Sequence, residues 1–206
     1  HEMVSPRLTS WRDFDNLLKV VDVLDEYGKV NRSCGMHIHI EIKDGDNKQV
    51  KKLMKFLTKY EKAINSILAP SRRGYNDYAY DSFRDEINLK EVFGYLNGKS
   101  LRGLLRYDRF TGRGKWNFKN FIQHGTFENR AHQGTLCSAK VEQWVFLTQA
   151  IVSCAFDCRG QVIRETDTTK TYDIFSMLKV LKKQNLIDKS TVAWYKRRHR
   201  ILNETN

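Results

Sequence analysis

The chain of 206 residues has little proline and little cysteine, and it has no long hydrophobic run. Its two prolines leave room for long helices and strands, because proline ends or kinks regular elements. Its four cysteines lack the dense spacing of a secreted disulfide scaffold, so we expect a reducing, cytoplasmic environment. No apolar stretch approaches the roughly 20 residues of a membrane span, and we see no signal peptide, so we expect no membrane partner.

Positive charge is present in excess. The 36 lysine and arginine residues outnumber the 24 acidic residues, which gives a formal net charge of +12 at pH 7. This excess favours an anionic partner, either nucleic acid or a phosphate-bearing ligand, although it also keeps a protein soluble. The densest basic cluster lies between Lys189 and Arg200, where a solvated helix face is the alternative to a binding surface.

Apolar periodicity predicts several helices. Residues 10–27 keep the spacing of one apolar face, with Ser10 as the N-terminal cap and Gly28 as a left-handed stop. The other predicted helices cover residues 47–68, 88–96, 138–157, 172–184 and 190–202. The rest of the segment from 71 to 115 is predicted to be a long loop, which is uncommon in a compact domain and usually functional.

Strands are predicted between the helices, at residues 2–5, 36–42 and 124–132. Together with the helices they indicate an α+β fold. Two of these strands carry a polar face. The residues on these faces are His37, His39 and Glu41 on one strand, and Glu128, Arg130 and His132 on the other.

Each polar face has two interpretations. The histidine-bearing face could hold a divalent cation or phosphates, or it could be the solvent side of an edge strand. The other face suits Mg²⁺ and phosphate, since carboxylates bind hard cations and guanidinium groups bind phosphate, but it also suits a surface ion pair. Two basic loops, Ser71–Arg73 and Arg109–Asn117, could close over phosphates or could simply be solvated.

Five short motifs occur along the chain in a fixed order. They are Glu2-Met-Val-Ser-Pro-Arg-Leu8, Cys34-Gly-Met-His-Ile-His39, Ser71-Arg-Arg73, Lys115-Trp-Asn117 and Gly125-Thr-Phe-Glu-Asn-Arg-Ala-His-Gln-Gly-Thr135. In this order they resemble the amidoligase family of the carboxylate-amine ligase superfamily, which includes relatives such as glutamine synthetase and glutamate-cysteine ligase. The resemblance implies a catalytic core at residues 1–160 and a helical C-terminal appendage at 161–206.

The resemblance also implies an ATP- and Mg²⁺-dependent ligase, in which a curved antiparallel sheet flanked by helices forms an active-site funnel. Such an enzyme phosphorylates a carboxylate, and the amine of a small molecule or peptide then displaces the phosphate to form an amide. By position, the metal ligands would be Glu2, Glu128 and His37, and the catalytic groups Glu128, Arg130 and His37. The nucleotide or acyl-phosphate contacts would be Arg72, Arg73, Lys115, Asn117 and His39.

The opening of the chain departs from the family pattern. Members of the superfamily begin with a strand that carries a Glu-x-Glu pair of metal ligands, and nothing in this sequence matches it. We therefore expect another segment or another chain to supply this N-terminal strand. The alternative function is a catalytically incomplete scaffold of the same fold that acts in nucleic-acid binding or assembly.

Overall fold

The computed structural model describes residues 2–74, 79–82, 89–106, 110, 112–157 and 172–204. The helices in these ranges are α1 (Trp11–Tyr27), α2 (Asn47–Asn65), α3 (Leu89–Gly98), α4 (Leu101–Leu104), α5 (Lys119–His124), α6 (Ser138–Asp157), α7 (Ile174–Lys183) and α8 (Lys189–Asn203). The strands are β1 (Gly35–Glu41), β2 (Trp116–Asn117) and β3 (Thr126–Gln133), and a 3₁₀ turn covers Pro70–Arg72. This mixture confirms the predicted α+β class.

The sheet has the strand order β1-β3-β2, and both neighbouring pairs are antiparallel. Among the described residues it is an open sheet with β3 in the centre and β1 at one edge. A β-bulge interrupts the β1–β3 pairing. Ile38 pairs with Asn129, and the next pair is Met36 with His132. One residue of β1, His37, therefore lies opposite two residues of β3. The extra residue in β3 reverses the face to which the following side chains of β3 point.

The hydrophobic core lies between the sheet and helices α2, α6 and α7. Phe127 and Ala131 of β3 are buried in it, and the partly buried Ile40 of β1 packs against it. Each large apolar side chain buried in this way contributes about 1.5–3 kcal/mol to folding. In the described parts of the chain, no helix is both long enough and apolar enough to cross a membrane.

The predicted domain boundary near residue 160 lies in a stretch, residues 158–171, outside the described part of the chain. Residues on both sides of it belong to one core. Met177 and Leu181 of α7, and Tyr195 of α8, are buried in the same cluster as the side chains of α2 and α6. The division into a core and an appendage stays a prediction.

Helix α1 begins as the sequence predicts. Ser10 and Asp13 form a capping box, in which each side chain accepts a hydrogen bond from the backbone N–H of the other residue. The end of the helix differs from the prediction, because Gly28 has a φ of −107° and is extended rather than left-handed. Glycine is still favoured there, since a Cβ would lie 2.7 Å from the Leu24 carbonyl oxygen and 3.3 Å from a Leu136 methyl.

The predicted strand at residues 2–5 does not form, and this stretch is irregular and exposed. Met3 and Val4 are consecutive exposed apolar residues, so the segment has no alternating face to bury. Pro6 follows directly and lacks the N–H that a ladder would need. The segment therefore leads into α1 as an irregular connection rather than as part of the sheet.

Candidate functional site

Polar side chains converge where β1, β2 and β3 meet, and Glu128 is at their centre. Its Oε1 lies 2.8 Å from Arg130 Nη1 and 3.3 Å from His37 Nδ1. His39 Nε2 lies 3.6 Å from the same oxygen, and Asn117 Nδ2 donates to Oε2 at 2.7 Å. We call these five residues the Glu128 cluster. The structure thus brings together residues from distant parts of the chain that the motifs had singled out.

His132 does not belong to this cluster. It pairs with Met36, beyond the bulge, and its ring centroid lies 5.1 Å from that of Trp144 on α6. The prediction that His132 shares a face with Glu128 and Arg130 is therefore wrong. The physical reason is the extra residue of the bulge, which turns the side chain of His132 toward the core.

The pKa of Glu128 shows how strongly its partners stabilise the ionised carboxylate. Burial alone raises this pKa, but the hydrogen bond from His39 and the charge of Arg130 oppose it. The hydrogen bond from Asn117 adds to them, and the resulting pKa is about 2. Glu128 is therefore ionised at neutral pH although its relative exposure is only 4%.

His37 is the neutral base of the cluster. Burial and the charge of Arg130 lower its pKa, against the opposing charges of Glu128 and Glu2. The imidazole is therefore uncharged near pH 7. Because Nδ1 faces the Glu128 carboxylate, the proton is favoured on Nδ1, which leaves Nε2 as a hydrogen-bond acceptor.

Arg72 brings a second guanidinium to this region from the 3₁₀ turn. It is 1% exposed, and its Nη2 donates to the Cys34 carbonyl oxygen at 2.6 Å. Among the described residues, its Nε and Nη1 have no hydrogen-bond partner, and neither does Nε of Arg130. Gly35 leaves the necessary space, since a Cβ there would lie 3.0 Å from Arg72 Nη2 and 3.2 Å from His37 Nε2. A buried donor without a partner costs about 1–3 kcal/mol, so these groups are suited to an anion.

Lys115 belongs to a second group of polar residues. Its ammonium pairs with Asp81 and donates to Asn65 Oδ1 at 2.6 Å. Burial lowers the pKa of Lys115, although the charge of Asp81 opposes this shift. Close by, Glu61 Oε1 accepts a hydrogen bond from Trp116 Nε1 at 2.8 Å. We call these five residues the Lys115 cluster, and in it the ammonium already has two protein partners.

The remaining predicted site residues fall in different places. Arg73 donates to the Leu68 carbonyl oxygen and to residues of α8, so its guanidinium joins two parts of the fold. Glu2 is exposed but close enough to His37 to influence its pKa. Arg109, at the start of the second basic loop, lies outside the described residues.

We tested whether the predicted ligands fit Mg²⁺. Within the described residues, no group of three or more His, Cys, Asp or Glu side chains is placed to hold a metal ion. Both carboxylate oxygens of Glu128 already accept hydrogen bonds from the protein, whereas Mg²⁺ needs oxygen ligands in near-octahedral geometry. Glu2, Glu128 and His37 therefore do not form a Mg²⁺ site on their own. The unpartnered guanidinium N–H groups instead match the oxygens of a phosphate or carboxylate.

Sequence reasoning missed Glu61, Asn65 and Asp81. A signal was available for Glu61, because it lies on the apolar stripe of α2, four residues after Leu57 and three before Ile64. A charged residue on a buried stripe needs a buried partner. The sequence offered no comparable signal for Asp81, since only the tertiary fold brings it to Lys115.

Comparison with known proteins adds one finding. A family model described as "putative amidoligase enzyme" matches residues 1–152. No curated protein and no solved structure matches the chain. The matched span contains the whole sheet and every residue of the Glu128 and Lys115 clusters, whereas α7 and α8 lie beyond it. With most of its length matched and with the motifs gathered around one sheet, the chain belongs to the amidoligase family.

Proposed function

We propose that this protein is an amide-bond-forming ligase of the glutamine synthetase-like superfamily, which activates a carboxylate with ATP as an acyl-phosphate. The observation that supports this most directly is the pair of arginines, Arg72 and Arg130, whose buried N–H groups lack partners among the described residues. Phosphoryl transfer needs fixed positive groups around the oxygens of the transferred phosphate. Family membership supports ligation, and the arginines support the handling of phosphate.

In this proposal ATP supplies the phosphoryl group that activates the substrate carboxylate. Arg72 and Arg130 bind the phosphate oxygens, while Glu128 holds Arg130 in place and Asn117 orients Glu128. The amine nitrogen of the second substrate attacks the acyl carbon, the C–O bond to the phosphate breaks, and inorganic phosphate leaves. His37 Nε2 accepts the proton that the amine loses, because Nδ1 of the same ring faces Glu128.

The proposal assigns no step to Mg²⁺, because the described residues alone do not form a site for it. Mg²⁺ stays a prediction, as do the nucleotide contacts expected of His39, Arg73 and Lys115. The edge strand β1 is where a further segment or chain would add a strand to this sheet, and its carboxylates would complete the ligand set. Such a strand is the partner that we propose for this chain.

Anion binding is the first test, because it depends on the arginines of this chain. Turnover would also depend on the strand that we propose another segment or chain to supply. Calorimetric titration of the full chain with pyrophosphate and with a non-hydrolysable ATP analogue should show binding. In Arg72→Met the affinity should fall about tenfold or more, since a hydrogen bond to a charged group contributes roughly 1.5–3 kcal/mol. Arg102→Met removes an exposed arginine of α4 and should bind as the wild type does. Equal affinity in the wild type and in Arg72→Met would contradict the proposal.

Ligation itself is tested with hydroxylamine, an amine that converts acyl-phosphates into hydroxamates. The chain is incubated with ATP, Mg²⁺, hydroxylamine and a panel of amino acids and peptides, with and without the family's opening strand added as a synthetic peptide. Hydroxamate and ADP should form in equal amounts with at least one carboxylate. ADP release without hydroxamate throughout the panel would argue against a ligase. Tight binding to generic duplex DNA or RNA that weakens steeply with salt would favour the nucleic-acid alternative.

A further inference from the structure

Helix α8 lies beyond the residues that match the family model, yet its C-terminal half is bonded to the segment that leads into the candidate site. Arg198 Nε donates to the Ile67 carbonyl oxygen at 2.6 Å. Asn203 Nδ2 donates to the Ser66 carbonyl oxygen at 2.8 Å. Both acceptors lie just after α2 and just before the 3₁₀ turn that carries Arg72. The helix therefore holds this segment on the N-terminal side of Arg72.

Arg73 makes the matching connection on the other side of Arg72. Its Nη2 donates to the Leu202 carbonyl oxygen and its Nη1 to Asn203 Oδ1, both at 3.1 Å. Its Nε donates to the Leu68 carbonyl oxygen at 2.9 Å. One guanidinium thus ties the end of α8 to the segment on both sides of the turn.

Arg72 is bracketed by these contacts but takes no part in them. Its backbone N–H bonds to the Ala69 carbonyl oxygen within the turn at 2.8 Å. Its own guanidinium has a single hydrogen bond among the described residues, to Cys34. The direction of this side chain therefore depends on the position of its backbone as well as on the hydrogen bond to Cys34. Donors that are held in place before a ligand arrives bind more tightly than mobile ones, because less conformational freedom is lost on binding.

Arg198 also connects α8 to the sheet. Its Nη2 lies 3.3 Å from Nε2 of His132, whose ring packs on Trp144. Burial and the charge of Arg198 lower the pKa of His132 to about 3, so the imidazole is neutral and can accept a hydrogen bond from the guanidinium. The same arginine therefore contacts both β3 and the segment before Arg72.

We infer that α8 is a positioning element of the anion site, in which Arg73 and Arg198 fix the backbone around Arg72 and so direct its guanidinium toward the Glu128 cluster. The inference rests on the proposed function for its ligand, an oxyanion such as the phosphate of ATP. The hydrogen bonds of both guanidinium groups go to protein groups, so we assign both arginines to positioning. In this inference the C-terminal helix takes part in the function of the anion site.

Three variants test this inference. Arg73→Ala and Arg198→Ala should each lower the affinity for pyrophosphate about tenfold, with Arg197→Ala as the matched control. Arg197 is the exposed neighbour of Arg198 on the same helix, and its loss should leave the affinity unchanged. All titrations are done at a temperature at which circular dichroism shows each variant to be folded. If Arg198→Ala does not fold, Asn203→Ala replaces it, since it removes a contact at an exposed residue.

A second readout follows Arg72 directly and needs no ligand. The ¹⁵N–¹H signal of Arg72 Nε, assigned through its loss in Arg72→Met, should shift or broaden in Arg73→Ala and Arg198→Ala but not in Arg197→Ala. If the wild type binds no pyrophosphate, the proposed function fails, and the signal of Arg72 still decides on the positioning role. An unchanged Arg72 signal in both variants overturns the inference. If the wild type binds pyrophosphate, an unchanged affinity in both variants overturns it as well.

Discussion

The Glu128 cluster and the Lys115 cluster both place charges inside the fold, but they differ in whether the donors around those charges have hydrogen-bond partners. In the Lys115 cluster the ammonium has two partners, and Glu61 Oε1 accepts from both Trp116 and the Ser82 backbone. Around Glu128 both carboxylate oxygens accept hydrogen bonds, yet the neighbouring arginines keep buried N–H groups without partners among the described residues.

In the proposed function, this difference separates a structural network from an anion-binding site. A buried charge with a complete set of partners holds the fold together, and its loss leaves the partner uncompensated. A buried donor without a partner costs stability and persists where it serves another purpose. Burial of a charged residue therefore does not by itself indicate function in this protein. The proposed anion site rests instead on buried N–H groups of Arg72 and Arg130 that lack partners among the described residues.

The largest effect is expected where the Lys115 cluster is broken. Lys115→Met removes the ammonium and leaves Asp81 and Asn65 without it, which should cost about 3–5 kcal/mol of unfolding free energy. Urea denaturation measures the change. Lys119→Met, at an exposed lysine at the start of α5, is the control and should stay within about 0.5 kcal/mol of the wild type. A loss below about 1 kcal/mol in Lys115→Met would remove the contrast between the clusters.

An intermediate effect is expected in acid, on the strand that carries Glu128. The pKa of His132 is lowered to about 3 and that of Glu128 to about 2. When the pH falls below the ordinary pKa of each group, that group binds a proton in the unfolded chain but not yet in the folded chain. Stability should therefore fall from about pH 6.5 downward through His132 and further below about 4.5 through Glu128, by up to about 1.4 kcal/mol per pH unit for each proton.

The contribution of His132 can be isolated with a substitution that does not titrate. His132→Phe keeps an aromatic ring against Trp144 and should flatten the fall in unfolding free energy between pH 6.5 and 5. His124→Gln changes an exposed histidine of α5 and should leave the profile as it is. The same slope in His132→Phe as in the wild type would mean that His132 is not the group that responds.

The smallest effect on stability is expected at Arg72, where the proposed function predicts a large effect on anion binding. Arg72→Met removes two donors that lack partners among the described residues, and it fills similar space, so the unfolding free energy should change by less than about 1 kcal/mol or should rise. The Cys34 carbonyl oxygen that loses Arg72 still accepts from the Gly134 N–H at 2.7 Å. Urea denaturation beside Lys115→Met gives the comparison. Equal losses in the two variants would show that both clusters are structural.

The basic stretch of α8 shows what helical periodicity can predict about the exposure of its charged residues. A solvated helix face was one interpretation, and Lys196, Arg197 and Arg200 are indeed exposed. Arg198 differs, because it lies on the stripe of the buried Thr191 and Tyr195, at spacings of seven and three residues. That spacing by itself separates Arg198 from its exposed neighbours.

The sequence by itself determined the longer helices and one polar face. Apolar periodicity specified α1, α2, α6, α7 and α8, because a helix buries one stripe and each stripe is a local pattern. The alternation of His37 and His39 with isoleucines specified the polar face of β1 in the same way. The order of the motifs identified the family for a related reason. Each motif is a continuous stretch of sequence and is therefore also a local pattern.

Only the tertiary structure decided what the charged residues do. Arg72 and Arg73 are identical neighbours, yet their guanidinium groups differ. Arg72 keeps donors that lack partners in the described part of the chain, whereas Arg73 ties α8 to the segment after α2. The bulge opposite His37 likewise depends on how two distant strands align, which no local pattern records. Local periodicity depends on neighbours along the chain, whereas the partners of a buried charge are set by contacts between segments far apart in the sequence.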